Sequence, residues 1–153
     1  MEPGTVIRSA EGRQFRFLTD TYTIKRTAAP GQTGHSMTHA VIAPGGYAPA
    51  HTHERYEETF YVLEGELDFT LGQETFQLRA GDYLLAAPGV RHGYANHSAR
   101  PAKMLFEFSP GGMEELLYEF RTDEKPFDRA AFIQKAQQVH GTVYELPSAA
   151  QKS

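Results

Sequence analysis

The sequence predicts an all-β sandwich or barrel followed by two short α-helices. Short runs of β-branched and aromatic residues recur at even spacing with Gly-containing turns between them, the pattern of a many-stranded β domain. After Pro110-Gly111-Gly112 the apolar period changes, with Met113, Leu116, Leu117 and Phe120 at the i, i+3, i+4, i+7 spacing of an amphipathic helix. At 153 residues the chain is long enough to bury one core, and with no cysteine it has neither disulfide staples nor thiolate ligands.

Residues 1–12 lack periodicity and are expected to be an arm. Phe15–Thr19 and Thr21–Thr27 read as strands in which Phe15 and Phe17 share one face, and Tyr22 and Ile24 another. A loop at 28–34, marked by Pro30, Gly31 and Gly34, leads to a strand at Ser36–Ile42, which Pro44-Gly45-Gly46 ends. The run Glu58–Leu63 is apolar at nearly every position after its acid, so both faces of that strand are expected to be covered. Strands follow at Leu67–Leu71, Thr75–Leu78, Tyr83–Ala86, His92–Asn96 and Ala102–Phe108. Asp128 is placed to cap a second helix carrying Phe132, Ile133 and Ala136 on one face, with Gly141 near its end. The two helices are expected to cover a mouth or flank of the barrel, and the polar end from Ser148 to fray.

A formal net charge of −4 argues against a phosphate-binding surface, which calls for a basic patch, so the expected partner is a small molecule and not a nucleic acid. The N-terminal residues are charged and no run approaches membrane-spanning length, so a soluble, cytoplasmic protein is expected.

The chemistry concentrates in His51-Thr52-His53-Glu54-Arg55-Tyr56-Glu57-Glu58. Side chains alternate along a strand, so His51 and His53 point to one side and can grip one ion. A nearby carboxylate adds a hard oxygen ligand, and mixed imidazole–carboxylate sets suit divalent first-row metals. On an unbroken strand Glu57 would share the face of His53; a bulge or loop at 54–56 would select Glu58 instead. His92 offers a further imidazole. If Glu58 and His92 face inward, alternation turns Phe60, Val62, Tyr94 and Asn96 the same way, making Phe60 and Tyr94 candidate substrate-binding residues and Asn96 a turn-fixing one.

These residues resemble a known family. Gly45, His51, His53, Glu58 and Gly65 fall at the spacings of the first cupin motif, and Gly81, Gly89, His92 and Asn96 at those of the second, with Ala87 where the second motif has proline. The resemblance runs over about residues 33–108. It implies a single cupin domain over 1–153, a jelly-roll barrel (double-stranded β-helix) at about 14–109 and a helical segment at about 111–141. It also selects Glu58 over Glu57, giving a 3-His/1-Glu centre of His51, His53, Glu58 and His92 for one divalent metal: Fe, Mn, Ni, Co or Zn. Such a set leaves coordination positions open, so the metal can serve as template and Lewis acid.

The Pro-Gly-Gly turn and acidic helix look like those of bacterial quercetin dioxygenase-like cupins. That resemblance implies a dioxygenase acting on a small aromatic or enol-type compound, with Glu58 as the catalytic base, and a homodimer. The alternatives are a non-oxidative isomerase or decarboxylase, and a binding module without turnover.

Overall fold

The structure, a computed structural model, describes residues 4–28 and 33–145. The expected loop at 28–34 lies partly, and the expected frayed end from Ser148 wholly, outside them. The elements run β1 (Arg13–Phe17), β2 (Asp20–Arg26), β3 (Met37–Ile42), β4 (Tyr47–His53), β5 (Glu57–Glu64), β6 (Glu66–Leu71), β7 (Glu74–Arg79), β8 (Tyr83–Ala86), β9 (His92–Ala95), β10 (Ala102–Ser109), α1 (Met113–Glu119), α2 (Arg129–His140) and β11 (Thr142–Tyr144). Two antiparallel sheets face each other, one ordered β1-β2-β3-β10-β5-β8 and the other β11-β4-β9-β6-β7.

Alternation sets which residues fill the space between the sheets. Phe15, Ile42, Phe60, Val62, Leu67, Phe69 and Met104 are fully buried there, and each such side chain contributes roughly 1.5–3 kcal/mol by leaving water. The faces expected for Phe15 with Phe17, and for Tyr22 with Ile24, both point into this core.

The run at Glu58–Leu63, expected to be covered on both faces, is covered on one. Phe60 and Val62 go inward, whereas Tyr61 is 43% and Leu63 40% exposed. β10 and β8 flank β5 within its own sheet and leave its outer side open. Tyr83 and Leu85 extend this outer face, with Tyr83 the register partner of Tyr61 and Leu85 that of Thr59.

The helices form where the period changes, and they close one end of the barrel. Met113 and Leu116 of α1 are buried, and so, less expectedly, is Glu114, whose carboxylate accepts from the Gly112 amide at 2.6 Å and the Thr27 hydroxyl at 2.7 Å. Asp128 caps α2 by accepting from the Ala131 amide at 3.0 Å. Gly141 ends α2 at φ 63°, a left-handed conformation that favours glycine, and lets the chain turn directly into β11. No helix among the described residues is long and apolar enough to cross a membrane.

Candidate metal centre

β4 ends at His53 and β5 begins at Glu57, so residues 54–56 interrupt the strand and reset its alternation. Glu58 consequently faces inward, 5% exposed, beside His51 and His53, while Glu57 is only half-buried and pairs with Ser109 of β10. His92 arrives on β9 as the register partner of His51. Gly93 permits that pairing: a Cβ there would lie 2.8 Å from the Ala48 carbonyl oxygen and 3.0 Å from the Ala50 nitrogen.

The four ligand atoms of His51, His53, Glu58 and His92 lie within 4.8 Å of one another, and all four residues are buried. Glu58 Oε2 is 2.9 Å from His53 Nε2, 2.8 Å from His92 Nε2 and 3.7 Å from His51 Nε2. An ion with bonds of about 2.1 Å separates neighbouring ligands by roughly 3 Å and opposite ones by roughly 4.2 Å, close to this spread.

The other ring nitrogens fix the tautomers. His51 Nδ1 donates to the Pro49 carbonyl at 2.7 Å and His92 Nδ1 to the Val90 carbonyl at 2.9 Å; a carbonyl only accepts, so in both rings Nδ1 carries the hydrogen. His53 Nδ1 is 2.7 Å from Thr142 Oγ1, a hydroxyl that can accept from the ring while its own hydrogen turns to Met113 Sδ at 3.8 Å. In their neutral forms all three imidazoles therefore turn Nε2 lone pairs toward the Glu58 carboxylate. Lone pair against lone pair is repulsive, and a cation among them, either protons or a metal ion, removes the conflict. The donor set thus fits a divalent ion with imidazole and carboxylate preferences.

The titration behaviour follows from the same convergence. Burial pushes the Glu58 carboxyl up, but hydrogen bonds from His51, His53 and His92, donated when protons take the place of the ion, outweigh it and hold the group well below the usual carboxylate range. Burial lowers His51, whereas for His92 the bond to Glu58 overcomes burial and raises it.

His51, His53 and Glu58 of the cluster line a pocket of about 860 Å3, counting its open mouth. Tyr22, Tyr94, Phe106 and Phe108 line it from the barrel, and Leu117, Phe127, Phe132 and Ile133 from the helical segment. The expectation that the helices cover the mouth is met, and most of the pocket wall is apolar. Tyr22 and Tyr94 join hydroxyl to hydroxyl at 2.8 Å. Of their two hydroxyl hydrogens one is spent in that bond.

Among the residues singled out from sequence, His51, His53, Glu58, His92 and Tyr94 come together at this pocket or its floor. Phe60 is 1% exposed and stands behind His92, ring centroids 6.0 Å apart, packed on Phe69 and outside the pocket lining. Asn96 fixes its turn by donating to the Ile42 and Arg100 carbonyls and accepting from Ser98. Sequence reasoning missed Thr142 and Tyr144, which meet His53 and His51 from β11, and Tyr22 as a pocket residue. A Thr-Val-Tyr triplet directly after a helix-ending glycine was the available signal.

A family model described as the Cupin domain matches residues 29–108. A protein of Streptomyces cyaneus named polyketide synthase CurC is 36% identical over 91 residues, which cover 60% of this chain and 59% of that protein. The quercetin 2,3-dioxygenase of Bacillus subtilis is 32% identical over 98 residues, 62% of this chain and 28% of that enzyme, so the chain spans well under two thirds of either relative. Among solved structures, KdgF from Halomonas sp. superposes with a TM-score of 0.66 at 19% identity, covering 74% of this chain and 99% of that one, a likeness of fold.

Proposed function

Since the chain belongs to the Cupin domain family, we propose that it is a metal-dependent dioxygenase acting on a small aromatic or enol-type compound, similar in its chemistry to quercetin 2,3-dioxygenase. The observation that carries this reading is that His51, His53 and Glu58 of the four-residue cluster line an apolar, aromatic pocket, with His92 beside them. An apolar wall with few polar groups selects a flat, largely apolar ligand and orients it by those groups.

Bound among these four residues, a divalent ion supplies Lewis acidity and, where it is redox-active, a path for electrons to dioxygen. Glu58 is the base. A buried carboxylate among three imidazoles takes a proton more readily from an acidic hydroxyl, an enol or a phenol, than from an aliphatic alcohol. The Tyr22–Tyr94 pair, in which either hydroxyl can be the donor, offers the pocket one unspent hydroxyl hydrogen and binds a second oxygen of the substrate. Leu117, Phe127 and Phe132 exclude water above the centre. Phe60 acts from behind, by holding the His92 ring.

A second reading, non-oxidative isomerisation, decarboxylation or cyclisation of an enolisable polyketide-type compound, is favoured by the relatives named for polyketide synthesis. It uses the same base and needs no dioxygen. The functional unit is a homodimer, for which the open apolar face of β5 and β8 is available.

Oxygen uptake by protein reconstituted separately with Fe, Mn, Ni and Co, against flavonols, catechols and diketones, tests the proposal. Substrate-dependent uptake that vanishes in Glu58→Gln and His92→Ala is expected. Conversion of a diketone or polyketide substrate at an unchanged rate without oxygen would transfer the protein to the second reading.

A further inference from the structure

We propose that Thr142 is a positioning residue for His53, and that β11, beyond the 29–108 stretch shared with the family, completes the ligand set. The proposal rests on the reading of the four-residue cluster as a metal centre.

The three imidazoles are not held alike. His51 and His92 each donate Nδ1–H to the carbonyl of the residue two positions earlier, a local bond that any side chain at that earlier position would leave intact. His53 instead depends on a side chain 89 residues away. Thr142 is the register partner of His53 across β4 and β11 and is fully buried, so its hydroxyl meets the ring without competition from water. Met113 Sδ, 3.8 Å away, is an acceptor for its single hydrogen, an arrangement in which its oxygen accepts from the ring. With the hydroxyl accepting, the bond selects the tautomer of His53 that leaves Nε2 unprotonated and turned to the centre.

Without that acceptor the ring gains by placing its hydrogen on Nε2, 2.9 Å from Glu58 Oε2, where the carboxylate accepts it. A hydrogen in that place occupies the lone pair that a metal needs. Partners of this kind, acting on the far nitrogen of a ligating imidazole, typically change metal affinity by about 10–100-fold. β11 acts on the other rings as well: Tyr144 stacks on His51, and Glu145, the next residue, receives the Arg91 guanidinium at 2.8 Å immediately before His92.

The test is Co(II) affinity, measured by competition with a chromophoric chelator, in the full chain and in Thr142→Val and Thr142→Ser. Valine keeps the branched shape and removes the hydroxyl; serine keeps the hydroxyl and removes the methyl. Expected are a 10–100-fold loss of affinity in Thr142→Val, with an altered Co(II) visible spectrum, and affinity within about threefold of the wild type in Thr142→Ser. Equal affinity in all three proteins, or equal losses in both variants, would overturn the proposal, the second outcome pointing to packing alone. A wild type that binds no Co(II) would sink the metal reading itself, a distinguishable failure. Should Thr142→Val not fold, the 15N shifts of His53 in the Zn(II)-loaded wild type still decide: hydrogen on Nδ1 and the metal on Nε2 are expected, and the reverse overturns the proposal.

Discussion

Tyr144 lies stacked on His51, ring centroids 4.7 Å apart and planes at 26°, and the two are register partners of β11 and β4. One face of a candidate ligand is thus covered by an aromatic ring from the far end of the described chain. Tyr144→Ala should lower stability by about 2–3 kcal/mol, below the roughly 3–5 kcal/mol of fully buried aromatic truncations because the ring is only partly buried. Tyr144→Phe keeps the stacking and should melt within a few degrees of the wild type. Thermal denaturation of the metal-free proteins checks both, and equal melting of the alanine and phenylalanine variants would contradict the stacking account.

A ligand that binds only the folded state stabilises it by mass action. At a divalent ion concentration about 100 times its dissociation constant the gain is about 2.7 kcal/mol, or roughly 5–11 °C in Tm for a domain of this size. EDTA should reverse the shift, and His92→Ala, which removes one of the four donors, should abolish most of it. Scanning fluorimetry with Co(II), Ni(II) and Mn(II) provides the measurement; a shift that persists in His92→Ala would place the ion elsewhere.

Asp20 gives a pH dependence separate from the metal. Burial pushes its carboxyl from 3.8 up to about 6, against hydrogen bonds from the Ala43 amide and the Thr19 hydroxyl that pull it down. With the folded pKa above the unfolded one, the native state binds the extra proton between these values. The stability associated with the protonated carboxyl is fully present below about pH 4 and is lost as pH rises through about 6. The cost at neutral pH is on the order of 1–3 kcal/mol. Asp20→Asn should remove this slope, so that urea midpoints of variant and wild type diverge in the variant's favour between pH 4 and 7. Parallel midpoints would show that Asp20 titrates normally.

On the outer face, Tyr61, Leu63, Tyr83 and Leu85 are 43%, 40%, 58% and 43% exposed and contiguous across β5 and β8. If this ladder joins two copies, Leu63→Glu combined with Tyr83→Glu should convert a sedimenting dimer into a monomer. Metal affinity should be unchanged, since neither residue belongs to the inward-facing cluster. A wild type that sediments as a monomer at micromolar concentration would remove the dimer.

Most of the barrel was legible because strand alternation is a local code. Phe15 and Phe17, or Tyr22 and Ile24, announce their faces without reference to anything distant. The choice between Glu57 and Glu58 was not local: it depended on whether 54–56 broke the strand, and the family spacing supplied what alternation could not. The expected second cover on Tyr61 and Leu63 failed for a related reason. An apolar run states that a strand tolerates burial on both sides, while the number of layers is a property of the whole fold. β11 escaped notice because three residues carry too little periodicity to register, although their pairing with β4 spans some 90 positions of sequence.

That short strand also bears on metal exchange. Among the described residues β11 is an edge strand paired with β4 alone, and edge segments open more readily than the sheet behind them. Each opening frees His53 from Thr142 and uncovers His51, while the rest of the barrel stays closed. For an ion held in the centre, such an opening would be a route of exchange that does not require the whole barrel to unfold.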